Sequence, residues 1–235
     1  MIQAVRAAAV AAMLALNPHS AAAAPPKHRA VAARDWTRTF SVSPQGGFRM
    51  GNPKARVGIV EYGSLTCPHC RHFAETAMTP LLDQYVRTGK ASYEFRPYLL
   101  NKIDLAATLV ARCNGPSRFF PIAEQLYATQ PTWVGKVADL PDAEMEKLDA
   151  LPQTTMLRRL ADITGLLPIA AAHGIAPARA QVCLKDEKAA LALTKIVQAA
   201  KTQGVTGTPT FFVNGKQVPA YDWESLKPFL KEAGG

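Results

Sequence analysis

No stretch of this sequence is long and apolar enough to cross a bilayer as a helix. The longest uninterrupted run, Ala7 to Leu16, is about ten residues, against the ~20 that a spanning helix needs. No internal repeat is present, and nothing in the composition marks a collagen, a long coiled coil or a disordered chain. With 48% hydrophobic and 19% charged residues, the chain has the make-up of a globular protein able to bury a sizeable core. No basic cluster is interleaved with aromatics and no nucleic-acid motif occurs, so nucleic acid is not an expected partner. Cysteine is sparse, at four in 235 residues, and none lies in or just after the N-terminal segment. A lipid anchor on a mature N-terminal cysteine is therefore not expected.

The N-terminus itself reads as an export leader. Arg6 gives a basic start, the apolar run follows, and Asn17, Pro18 and His19 break it before the small residues Ser20 to Ala24. That order matches a signal peptide with A-x-A-type cleavage; the competing reading is an Ala-rich helix of the fold. We expect a leader over 1–24, a mature start near Ala23 to Pro25 and a soluble protein of the periplasm. Outside the reducing cytosol, Cys67, Cys70, Cys113 and Cys183 can persist as disulfides, and four cysteines allow three pairings. The net charge of +9 favours acidic partners or an anionic membrane surface, or is simply solubility charge.

Pro25 to Arg38 reads as a loose lead-in. Short strands are expected at Phe40 to Val42 and, buried and β-branched, at Arg56 to Tyr62. The second runs through Gly63-Ser64 to Thr66, a residue suited to cap a helix, with Pro68 in its first turn. That helix is expected from Pro68 to Arg87, kinked at Pro80, and a further strand from Ala91 to Leu99. Helices follow at Ala106 to Arg112, Pro116 to Ala128, Gln153 to Asp162, Pro177 to Leu184 and Glu187 to Gln203, while Gly135 to Ala150 is acidic and irregular. Thr210 to Val213, Asn214-Gly215 and Lys216 to Pro219 spell a tight hairpin. Trp223 to Ala233 closes the chain as a helix capped by Asp222.

The chemistry concentrates at Cys67-Pro68-His69-Cys70. Cysteines at i and i+3 share a helix face, at a spacing compatible with a disulfide. At the opening turn, Cys67 meets free N–H groups and the positive end of the helix dipole, which stabilise its thiolate. His69 adds a donor or a charge, and Cys70 lies deeper as the resolving partner. A stabilised thiolate favours the reduced form and makes the disulfide a better oxidant. The competing reading is a metal site. Zinc needs two more nearby ligands, whereas Cys113 and Cys183 form no second knuckle; His72 could join His69 and the two thiols in a copper or zinc site, which would make the chain a copper-handling or assembly factor. The second signal is Gly207-Thr208-Pro209 before the apolar strand. Proline donates nothing to a ladder, so it is either a loop proline or a cis Thr208–Pro209 bond at the strand's start.

Together, Val60-Glu61-Tyr62-Gly63-Ser64-Leu65-Thr66-Cys67-Pro68-His69-Cys70 and Gly207-Thr208-Pro209 resemble the DsbA-like branch of the thioredoxin superfamily, over roughly residues 51–233. The resemblance implies an α/β thioredoxin fold with an inserted helical domain. Its expected divisions are a lead-in and short strand over 25–50, the first fold segment over 51–103, the insertion over 104–186 and the second segment over 187–235. It also implies catalysis by Cys67 as nucleophile with Cys70, Pro68 and His69, and substrate binding by Thr208 and the cis Pro209. Glu61 aligns with the acidic residue that relays protons in such proteins; the alternative is a structural ion pair. Cys113 and Cys183 resemble the second, structural disulfide of one branch. No cofactor and no metal are implied. Expected partners are reduced or misfolded exported proteins and a membrane-bound, DsbB-like reoxidase or a reductase. Threonine before the cis-proline also occurs in isomerases and reductases of the superfamily, so the direction of the chemistry stays open.

Overall fold

In the computed structural model of the chain, which describes residues 34–234, strand β3 (Val57–Gly63) lies at the centre of the architecture. The expected leader, 1–24, and residues 25–33 of the lead-in lie outside the described residues. β3 pairs in parallel with β4 (Ala91–Pro97) and antiparallel with β5 (Thr210–Val213). Parallel neighbours need a crossover, supplied here by helix α1 (Pro68–Leu81) and the π-helical turn Leu82–Val86. The full order is β1 (Phe40–Val42), β2 (Phe48–Gly51), β4, β3, β5, β6 (Lys216–Val218). Strand β2 was not anticipated: it is a four-residue stretch set between turn-rich glycine clusters, too short for alternation to show. The Pro68 to Arg87 helix expected from the sequence runs through Pro80 to Leu81 and continues as the π-helical turn Leu82–Val86.

Period-two alternation puts Val57, Ile59 and Glu61 on one face of β3 and Tyr62 on the other. The first face is covered by α1 and by helices α3 (Pro116–Ala128) and α10 (Trp223–Glu232): Phe73 lies 4.5 Å from Phe211, and Tyr85 6.0 Å from Trp223. On the other face Tyr62 Oη donates to Gln203 Oε1, just beyond helix α9 (Glu187–Thr202).

Between β4 and α9 the chain forms α2 (Lys102–Arg112), α3, α4 (Gln130–Ala138), α5 (Asp142–Asp149), α6 (Gln153–Thr164), α7 (Leu166–Ala172) and α8 (Pro177–Leu184). Residues 106–111 of α2 are all buried, as expected of a helix covered on every side. Phe119 anchors this block to the sheet, edge-on to Phe48 at 5.4 Å and 5.2 Å from Phe95. Arg112 adds a second tie, its guanidinium 3.6 Å above the Phe48 ring with Nη2 donating to Gly46 O. Cys113 and Cys183 are joined in a disulfide between the end of α2 and α8, closing a separation of 70 residues.

The segment Gly135 to Ala150 corrects the irregular reading, because it holds the end of α4 and all of α5. Only Leu148 of α5 is buried, so the apolar period is faint. Asp142 and Glu144 in its first turn instead favour the helix through its positive N-terminal end. Helix α7 was also not anticipated; Gly165, at φ +78°, ends α6 and admits α7 immediately after it.

Candidate active site

The loop from β3 into α1 carries the Cys67-Pro68-His69-Cys70 sequence, and the structure corrects its capping. Cys67, not Thr66, holds the N-cap position with extended backbone, and Pro68 is the first helical residue. The Thr66 hydroxyl is engaged elsewhere, with Ser64 Oγ at 3.1 Å and Asn101 Nδ2 at 3.0 Å. The sulfur thus sits where an N-cap side chain normally presents an acceptor to the first free N–H groups of the helix.

Three side chains from the inserted helices, and Asn101 at the cap of α2, hold this loop. Asp104 accepts from Leu65 N and Leu100 N, each at 3.1 Å, and Tyr127 Oη donates to Ser64 O at 3.1 Å. Gln130 Nε2 donates to Leu65 O at 2.9 Å and Cys67 O at 3.0 Å. Asn101 caps α2 through Asp104 N while also binding Thr66. None of these was singled out from the sequence. The one local hint was Asp104, set between Ile103 and Leu105, a carboxylate that is costly to bury unless its hydrogen bonds are made.

From the other end of the chain, the Thr208–Pro209 peptide bond, which is cis, meets the same sulfur. The Cys67 thiol donates to Thr208 O at 3.3 Å. Thr208 Oγ1 is buried without a close hydrogen-bond partner.

The two thiols are not bonded to one another and both are buried, Cys70 completely. Their acidities diverge. The Cys70 thiol beside the Cys67 sulfur, with the Thr208 side chain and the backbone N–H groups of Cys70 and His69 around it, outweighs burial and lowers Cys67 to about 5. Burial drives Cys70 well above the usual thiol range, reinforced by Cys67 and the nearby Glu61. His69 and Pro68 are exposed. His69 acts on the sulfur through its backbone; among the described residues its imidazole bonds neither thiol.

Two glutamates are buried in the sheet, in opposite circumstances. Glu94 is bound by Arg96 at 2.6 Å and Arg49 at 2.8 Å, with Ser43 donating to Oε1, and together they hold its carboxylate below the usual range despite burial. Glu61, below the two cysteines, has no ion-pair partner among the described residues. Its one hydrogen bond comes from Tyr93 Oη to Oε2 at 2.5 Å. Burial raises it to about 7, with Tyr93 pulling the other way. A carboxyl poised there is suited to exchanging a proton near neutral pH. Burial likewise raises Asp104, to about 6. Among the described residues no group of three or more His, Cys, Asp or Glu side chains is placed to hold a metal ion.

Comparison with known proteins agrees with this architecture. The family model described as Thioredoxin matches residues 43–232. A Rickettsia conorii protein, provisionally named a protein-disulfide oxidoreductase, is 30% identical over 185 residues. The match takes in 78% of this chain but 59% of that protein, so the chain spans well under two thirds of this relative's length. The crystal structure of a protein-disulfide isomerase from Novosphingobium aromaticivorans superposes with a TM-score of 0.75 at 31% identity, covering 80% of this chain and 97% of that one. The α-DsbA1 of Wolbachia pipientis shares the fold, with a TM-score of 0.58 at 23% identity over 79% of this chain and 89% of its own.

Proposed function

Since the chain belongs to the thioredoxin family, with a DsbA-like fold, we propose that it is a thiol–disulfide oxidoreductase that introduces disulfides into exported proteins through Cys67 and Cys70. In the oxidised enzyme a substrate thiolate attacks Cys67 Sγ. The Cys67–Cys70 bond breaks, a mixed disulfide forms, and the departing Cys70 thiolate takes a proton from Glu61. A second substrate thiolate attacks the substrate sulfur, releases the substrate disulfide and expels Cys67 as a thiolate. Two electrons have then passed to the enzyme, and a membrane-bound, DsbB-like reoxidase is the partner that removes them. The Thr208 backbone, beside Cys67, pairs with the extended substrate peptide. The leader-like N-terminus supports a periplasmic setting.

The observation that carries this reading is the place of the Cys67 sulfur, at a helix N-cap beside Cys70 and 3.3 Å from Thr208 O of the cis-proline loop, surroundings that lower its pKa to about 5. A low-pKa sulfur is a good leaving group and stabilises the reduced enzyme, so the disulfide is driven onto substrates. The direct test is glutathione equilibration of the Cys67–Cys70 pair with Cys113–Cys183 intact. A potential well above that of the glutathione couple is expected, together with oxidation of a reduced two-cysteine peptide. A potential near thioredoxin's would sink the oxidase reading.

The 31% identity to a protein-disulfide isomerase favours one alternative, that the same pair works reduced, as an isomerase or reductase. Refolding of a scrambled-disulfide substrate by the reduced protein, without net oxidation of a reduced peptide, identifies that case.

A further inference from the structure

Beneath the active site lies a cavity of about 330 Å³ in which Glu61 and Tyr93 are lining residues. Its walls are largely aromatic, including Phe40, Phe73 and Phe120, and its rim includes the exposed Thr79, Arg87, Pro121 and Glu124. None of Pro68, His69, Thr208 or Pro209 lines it. The cavity therefore reaches solvent away from the segments assigned to substrate. It is far larger than a single water requires, and Glu61 and Tyr93 supply polar partners within it. Tyr93 occupies one carboxyl oxygen of Glu61, and among the described residues nothing in the protein donates to the other.

We propose that Tyr93 is a positioning residue that fixes Glu61 at the floor of this cavity, so that the buried carboxyl is solvated and exchanges its proton with water from behind while substrate covers Cys67 in front. The inference rests on the assignment of Glu61 as the proton carrier for Cys70. When Cys70 leaves, the proton on Glu61 passes to its sulfur, and the carboxylate is reprotonated by water in the cavity. In the reverse direction Glu61 takes the Cys70 proton and gives it up by the same route. Tyr93 keeps its own proton throughout. The ionisable groups lining this space besides Glu61 are Tyr93 of β4, Tyr127 and Glu124 of α3, and Arg87 beyond the π-helical turn; Cys67, the cap of α1, and Cys70 act on Glu61 from outside the lining. Phe211, opposite Glu61 on β5, carries no charge. Of these, Tyr93 is the hydrogen-bond donor to Glu61.

The experiment follows reduced protein reacting with oxidised glutathione, quenched in acid and read by mass spectrometry across pH. Formation of the Cys67–glutathione mixed disulfide is the internal control, because it does not use Glu61. Collapse of that species by Cys70 is the readout, with an inflection expected near pH 7 in the unaltered protein. In Tyr93→Phe the carboxylate loses its donor, so the inflection moves up and collapse at pH 7 slows by about tenfold per unit moved. In Ala74→Leu, one turn along α1 from Cys70 and lining the same cavity, loss of solvent moves it the same way. Formation rates stay within about twofold in both variants, which also shows that they fold. Glu61→Gln abolishes the inflection. If it does not, the role of Glu61 falls and this inference with it. If Glu61→Gln abolishes the inflection but Tyr93→Phe or Ala74→Leu leaves it in place, the proposal for Tyr93 and the cavity is overturned while the role of Glu61 stands.

Discussion

The acidity of Cys67 is built from a few identifiable neighbours, and the side chains among them can be removed. Titration of the reduced protein by thiolate absorbance should show a midpoint near 5. Thr208→Val, which deletes the buried hydroxyl but keeps the shape, should raise that midpoint; an unchanged value would mean the backbone and Cys70 suffice. Glu61 makes a prediction about stability. Its folded value, about 7, exceeds its ordinary 4.5, so its contribution is fully present below about pH 4.5 and is lost as pH rises through 7. Cys67 has the opposite sign: lowered from 9.0 to about 5, it contributes above pH 9 and loses that contribution as pH falls through 5. Denaturant unfolding of reduced Glu61→Gln should therefore show stability rising steadily from pH 5 to 9. Its advantage over the parent should grow to the order of 2 to 3 kcal/mol by pH 8. The sequence already pointed to Cys67, Cys70, Glu61 and Thr208-Pro209, because their types and spacing carry the chemistry. Tyr93 carries no such mark, since a tyrosine in an alternating strand reads as core.

The elements differ in how plainly the chain announces them. Pro116–Ala128 and Pro177–Leu184 were expected with these same bounds, because each opens on a proline at the first helical position. The cap before α1 was misplaced for the converse reason. Threonine is the better intrinsic cap, but Thr66 is drawn away by Ser64 and Asn101, leaving the position to a sulfur. The loop is held from outside by Asn101, Asp104, Tyr127 and Gln130. Gln130→Ala should leave the buried Leu65 O without a partner and take one of the two donors from Cys67 O, which keeps Arg71 N. We expect a loss of about 1 to 3 kcal/mol in denaturant unfolding and a displaced Cys67 titration. A stability loss with an unmoved titration would show that Gln130 supports the block without tuning the sulfur.

At the scale of the molecule, the order of strands and helices was readable because each piece is bounded by turn residues. The way the helical block clamps the active-site loop was not, because those bonds join residues far apart in the chain, such as Gln130 to Leu65. The Cys113–Cys183 bridge spans 70 residues at the edge of that block. Replacing both cysteines with alanine should cost about 2 to 4 kcal/mol, measured by unfolding of the oxidised protein, while leaving Cys67 titrating as before. If the Cys67 midpoint moved, the bridge would be coupled to the site rather than a brace for the insertion.

The pairing of Val60 with Phe212 also sets a schedule for synthesis. The centre of the sheet stays half unpaired until the last strands have been made, since contacts so distant in sequence form late. Cys67 and Cys70 leave the ribosome early, but Thr208 follows only after the whole helical block. An unfinished chain therefore carries its two thiols without the loop that tunes and flanks them. Full reactivity waits on the arrival of the β5–β6 hairpin, so the two thiols are tuned only after the helical block has been made.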